Sequence, residues 1–382
     1  MGSSKKRLGK RKRTRQMGTD EKSLVGLGRT RKERFEQEKK KKLNPDEYTV
    51  GWICALSDEV VPAFLLLDEE HERLPGRVND GNSYYFGRMG EHNVIIATLP
   101  MGSYGVTSAA TVVSHLVTSF SSIRFCLMVG IGAGIPTLAP DMRLGDVVVS
   151  IPNNQLPGVV EFDMGTELHD SSFTRKGSLN RPPVFLLTAA ATLRTEISLA
   201  RSRIPARIAH VQQRHTATRG RFSHPGKDKD RLFPGDYPCE SDDRACGTCD
   251  MSRLVTRPCN RPTDPIVYFG TIASGSKLVR NPRLRDQIGK SYNALCIEME
   301  AAGIMNNLPC LVIRGISDYA DSHKNDIWHH YAAMTASACA RELLGYVTAT
   351  VVRAERKVHL RLEKTLEKGG YAGNTSRLGR IC

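Results

Sequence analysis

The stretch Pro309–Asp321, PCLVIRGISDYAD, reads as a buried strand that empties into a polar turn. Its Leu, Val and Ile run lacks the alternation of a half-wet strand, so both faces are expected to be covered. Ser317-Asp318 follow at its end. Working outward, the pattern recurs. Tyr48–Leu56 (YTVGWICAL) is a first buried strand, followed by Ser57-Asp58-Glu59. Ile123–Val129 is a second, and it runs into a glycine-rich turn, Gly130-Ile131-Gly132-Ala133-Gly134. Asp146–Ile151, Ile266–Ala273 and Ala294–Ile297 continue the series, the last leading through Glu298-Met299-Glu300 to a helix Ala301–Asn306. Ser83–Met89 and Asn93–Leu99 form a hairpin closed by Gly90-Glu91-His92. Helical apolar spacing marks Tyr104–Phe120 and a closing helix from Ile327 to Val347 or beyond. Strands alternating with helices predict an α/β fold, a three-layer α/β/α sandwich around a mixed central sheet.

The chain has 382 residues and a formal charge of +15. The excess lies at the ends, since residues 1–42 carry 17 Lys/Arg against 5 acidic residues and 353–382 carry 8 against 3. The interior is close to neutral, so the charge does not make the whole chain a nucleic-acid binder. Residues 1–44 are expected to be a basic, disordered tail. Its Lys5-Lys6-Arg7 and Lys10-Arg11-Lys12-Arg13 runs suit nuclear localisation or a touch of nucleic acid, or simply solvation. The folded domain is placed at 45–351, with a long insertion at about 155–265 that is helical at Val184–Leu199 and otherwise loop, including the basic stretch Arg201–Arg231. A basic segment, 352–382, follows. No apolar run reaches the ~18 residues of a membrane span, and residues 1–16 are too charged for a secretory signal. Ten cysteines, several in apolar strands (Cys54, Cys126, Cys310), suit free thiols and an intracellular, cytoplasmic or nuclear, location.

Three acidic clusters at strand ends mark where an open α/β sheet places its ligand. One acidic residue there is ordinarily a helix cap or a solvated loop charge; three beside a glycine-rich stretch point to a polar site. Here the sequence resembles a family. GWICALSDEV, MVGIGAGIP, GDVVVS, GTIASG, IEMEAAG and VIRGISDYAD occur in the order found in the purine and uridine phosphorylase superfamily. The motifs look most like the 5′-methylthioadenosine/S-adenosylhomocysteine nucleosidases and the nucleoside phosphorylase-like domains of fungal multidomain proteins. The resemblance spans about Tyr48–Val347 apart from the insertion.

It implies cleavage of the N-glycosidic bond of a purine nucleoside. Asp318 is implied as the general acid toward purine N7, with burial expected to raise its pKa. Glu59 is implied as the general base on water, and Glu300 as the acceptor of the ribose hydroxyls. Met299 would pack on the ribose face, with Glu298 beside it in the same motif; Trp328 would stand near the 5′ substituent. Leu278 and Val279 would lie beside the base, or be ordinary core, and Gly130 and Gly132 would line the site. Phosphate-dependent members carry Arg and a Ser/Thr hydroxyl where this chain reads Met128-Val129-Gly130-Ile131, so hydrolysis is favoured over phosphorolysis. A catalytically degenerate nucleoside-sensing module of a regulatory protein is the alternative. The resemblance further implies a homo-oligomer and no cofactor for catalysis.

Cys239, Cys246, Cys249 and Cys259 give C-x6-C-x2-C-x9-C, a set that suits a structural Zn²⁺ or a loop of free thiols. His323 is expected either near the ligand's 5′ side or capping the final helix. His329-His330 are expected to face solvent or a partner.

Overall fold

Along β1 (Val50–Cys54) the side chains alternate. Val50, Trp52 and Cys54 join one apolar cluster, and Ile53 joins another on the opposite face. A strand buried on both sides needs a layer on each, and the chain supplies both. The computed structural model describes residues 40–358, apart from 140, 154, 170–172 and 240–247.

In chain order β1 is followed by α1 (Ser57–Leu65), β2 (Glu69–Glu70), β3 (Tyr84–Met89), β4 (His92–Thr98) and α2 (Val106–Ser119). Then come β5 (Phe125–Gly134), β6 (Val147–Ser150), β7 (Val159–Glu161), β8 (Gly165–Glu167), β9 (Phe173–Arg175), α3 (Val184–Ser198) and α4 (Ile204–Arg214). The last third holds β10 (Val267–Ser274), α5 (Pro282–Tyr292), β11 (Ala294–Glu298), α6 (Ala302–Met305), β12 (Cys310–Asp318), α7 (His329–Leu344) and α8 (Ala349–Ala354). The main sheet is mixed, in the order β2-β3-β4-β1-β5-β12-β6-β10-β11, with β7 added on β10. The far end of β5 also pairs antiparallel with β11, so β5, β12, β6, β10 and β11 close into a ring. α2 and α6 cover one face; α1, α3, α4 and α7 cover the other. The expected α/β/α sandwich with a mixed central sheet is the fold.

Two expectations are corrected. The glycine-rich segment 130–134 is not a turn: it is the second half of β5. Its glycines clear space for neighbouring strands, because a Cβ on Gly132 would come within 2.6 Å of Cys296 Sγ. The basic stretch Arg201–Arg231 is not all loop, since it contains α4. There Ile204, Ile208 and Val211, spaced as one helical face, are buried against the same cluster as α7. With Leu186, Ala189, Ala190 and Leu193 of α3, they make this part of the chain a contributor to the core.

The chain is already packed at its described start, where Lys41 bridges to His71 and Leu43 is buried. Residues 1–39 of the basic tail and residues 359–382 lie outside the described residues. At the other end Val358 is buried and its N–H donates to Ile123 O at 3.1 Å.

Candidate active site

The strand ends converge on one cavity of about 420 Å³. Its wall includes Glu59 from α1, Glu298 from β11, the following Met299 and Glu300, and Ser317 and Asp318 from β12. Of the other expected residues, Leu278, Val279 and Gly132 also line it.

Glu59 is buried in the first turn of α1, where its carboxylate collects orphan backbone donors. Oε2 accepts from the N–H of Ala55 at 2.6 Å and Leu56 at 3.0 Å; Oε1 accepts from Ile131 at 2.8 Å. Burial pushes its carboxyl above the usual range, against the pull of Arg314 and those three N–H groups. Gly130 lies beneath the site, outside the lining. A Cβ there would overlap Glu59 Oε1 and the Arg314 guanidinium, and that is why the position carries none.

Arg314 is the residue that family motifs did not bring forward. It stands fully buried in the middle of β12, and its Nη2 donates to Glu298 Oε2 and, at 3.3 Å, to Glu300 Oε2. An arginine inside an apolar strand is itself a sequence signal, because a buried guanidinium requires carboxylates close by. Glu298 has a structural task as well: its oxygens accept from the N–H of Glu300 and Ala301, capping the turn into α6. Glu300 is left facing the cavity. Burial raises it to about 7, with Arg314 opposing and Glu298 and Glu59 adding to the rise.

Asp318 departs from expectation. Burial pushes its carboxyl up, but the Lys324 ammonium 2.5 Å from Oδ2, the Ala320 N–H and the Ser317 hydroxyl outweigh it. The group is held below the ordinary aspartate value, so the expected rise is corrected. Lys324 and His329 line the cavity, and neither was singled out for it. His329 was expected toward solvent or a partner.

Trp328 is not at this site. Its indole N–H donates to Lys229 O at 3.0 Å, and its ring packs on His224 and Tyr331 beside a second cavity. One residue further along, at the start of α7, the helix turns His329 into the site instead. His323 neither lines the cavity nor caps α7; it stacks on Phe233. Of the four cysteines read as a set, three fall among the described residues. Cys239 and Cys249 are neighbours, Cys259 is exposed at the second cavity, and Cys246 lies outside the described residues. Among the described residues no helix is long and apolar enough to cross a membrane.

A closed mixed sheet with helices on both faces and acidic strand ends around one pocket defines the class as an α/β protein with a polar-edged pocket at its strand ends. The family model for the phosphorylase superfamily matches residues 49–353, and the chain belongs to that superfamily. It is 39% identical over 320 residues to a nucleotide-binding leucine-rich repeat (NLR)-like protein of Hyaloscypha variabilis, covering 83% of this chain and 31% of the relative. It is 26% identical to the ATP nucleosidase Cap17 of Escherichia coli, over 65% of this chain and 41% of that one. The chain thus spans less than half the length of these curated relatives. It is 24% identical to a 5′-methylthioadenosine/S-adenosylhomocysteine nucleosidase of Mycobacterium bovis, over 78% of this chain and 95% of that one. Among solved structures, futalosine hydrolase of Helicobacter pylori shares the fold with a TM-score of 0.50 at 17% identity, over 78% of this chain and 97% of the other.

Proposed function

We propose that the protein is a nucleosidase that hydrolyses the N-glycosidic bond of a purine nucleoside. One observation carries the choice of hydrolysis: the Glu59 carboxylate fills the backbone N–H groups of Ala55, Leu56 and Ile131, where an attacking anion would need donors. Met128 is buried in the core and supplies nothing to the site. The Arg314 guanidinium, buried behind the cavity, is already matched by Glu298 and Glu300. A phosphate dianion would meet repulsion here.

In this reading Glu300 accepts from the ribose hydroxyls and Met299 packs on the sugar, with Leu278 and Val279 beside the base. The oxygen of water bonds to C1′ as the C1′–N9 bond breaks and its electron pair passes to the purine. Glu59 takes the water's proton, and the Asp318–Lys324 pair delivers a proton to N7 of the departing base. Substrates include nucleosides and, given the named Escherichia coli relative and the Lys277 and Lys324 side chains in the wall, a nucleotide such as ATP. Met101 and Tyr104, exposed at and near the rim, suit completion of the pocket by a second copy of the chain.

A second reading, a nucleoside-sensing module, is favoured by the name and length of the Hyaloscypha relative. Base release from adenosine, inosine, 5′-methylthioadenosine and ATP, measured with and without phosphate, tests both. Release of free ribose or its 5′-derivative without phosphate is expected. Strict phosphate dependence with a sugar 1-phosphate product overturns hydrolysis, and binding without turnover selects the second reading.

A further inference from the structure

Away from the cavity, three metal-ligating side chains from two distant parts of the chain meet. Cys239 and Cys249 belong to the segment between α4 and β10; His323 belongs to the loop between β12 and α7. One donor atom from each lies within 4.8 Å of the other two. The two sulfurs are 3.5 Å apart. A disulfide would bring them to about 2.05 Å. Two thiolates bound to Zn²⁺ at about 2.3 Å in a tetrahedron stand roughly 3.8 Å apart, close to what is seen.

The surroundings hold the donors in place. Cys249 and His323 are buried, and Phe233 and Tyr237 stack on the imidazole at ring-centroid distances of 4.1 and 5.7 Å. The N–H of Cys239 donates to Ser322 Oγ at 2.8 Å, and the N–H of His323 donates to Asp321 Oδ1 at 2.9 Å. The first of these bonds ties the two segments together beside the donors, and the second is a local turn within the loop that carries His323. The local apolar cluster is small, made of Phe233 and Cys249 with Tyr237, Cys239 and Leu254 packed on it. So little apolar contact is a weak clamp for a long irregular segment, and a metal is the usual supplement.

We propose that Cys239, Cys249 and His323 bind one structural Zn²⁺ that fastens the segment between α4 and β10 to the loop carrying Lys324. The three donors fill three of four tetrahedral positions and leave one for water or a further donor. Cys246 lies outside the described residues, and the three-donor site stands without it. Cys259 takes no part.

The experiment is metal analysis of the full chain purified without chelator, followed by cobalt(II) exchange. Near one zinc per chain is expected, with an absorption spectrum of tetrahedral, thiolate-bound cobalt after exchange. H323A and C249S are expected to lose the metal and lower Tm, while C259S keeps both. The cobalt spectrum of the unaltered chain stands if a variant fails to fold. A stoichiometry near zero after zinc supplementation, a spectrum without thiolate charge transfer, or retention of metal in H323A overturns the proposal. None of these readouts depends on nucleoside turnover, so the site and the proposed activity succeed or fail separately.

Discussion

Glu59 Oε1 accepts a hydrogen bond from the backbone N–H of Ile131 at 2.8 Å, joining the first turn of α1 to the middle of β5. The contact exists because Gly130, the residue before, leaves the carboxylate room. It places the acid at the C-terminal end of β1 under the cavity.

E59Q is expected to keep the fold and lower kcat by about 10²- to 10⁴-fold, the usual range for a lost general base. KM should move little. Steady-state base release checks this, and an unchanged kcat would remove Glu59 from the chemistry. G130A forces a methyl group into Glu59 and Arg314 and should destabilise by about 1–3 kcal/mol, read by denaturant unfolding.

Asp318 and Lys324 are expected to act as a pair. D318N and K324M should each reduce turnover by at least about 10²-fold, and the double variant should lose much less than the product of the two. A double-mutant cycle on kcat measures the coupling. Strict additivity would mean that the two side chains work independently despite their 2.5 Å contact.

The raised carboxyl of Glu300 sets a pH window. Its value of about 7 in the folded chain lies above the ordinary 4.5, so between those pH values the folded form holds more proton than the unfolded. The stability this contributes is present at low pH and falls as pH rises through about 7. Binding of ribose hydroxyls needs the ionised form, so kcat/KM should rise over the same range. The limb is assigned to Glu300, whose carboxyl feels the neighbouring Arg314, Glu298 and Glu59 charges. E300Q is expected to flatten the limb in a pH-rate measurement, and persistence of the limb would assign it elsewhere.

R314M leaves Glu298 and Glu300 buried without their cation and should cost about 3–5 kcal/mol. Thermal and denaturant unfolding report it, and a loss under 1 kcal/mol would mean that the carboxylates find other partners. W328F, by contrast, should leave KM unchanged, because the ring lies at the second cavity. It loses one indole hydrogen bond, worth about 1 kcal/mol of stability.

Sequence alone determined the long central strands, the hairpin, the layer architecture and the three acidic strand ends, but not the short strands β2, β7, β8 and β9. Each of these is local: continuous apolar runs, helical spacing, and an acidic residue where the run stops. The preference for hydrolysis rests on the family resemblance at Met128 and Ile131 and belongs to the proposed function. Which groups face one another follows from how the segments fold together. The glycines of 130–134 look like a turn in one dimension, but their bareness answers to Glu59, Cys296 and Arg314 arriving from other elements. Burial alone predicts a raised Asp318, and its actual state is set by Lys324, six positions further along the chain. Trp328 and His329 differ by one position in sequence, and the start of α7 sends them to different cavities. The cysteine spacing suggested metal but proposed Cys259; folding brought His323 there from more than seventy residues away. Burial follows from patterns along the chain, whereas charge pairing and ligand sets depend on distances between segments that no spacing encodes.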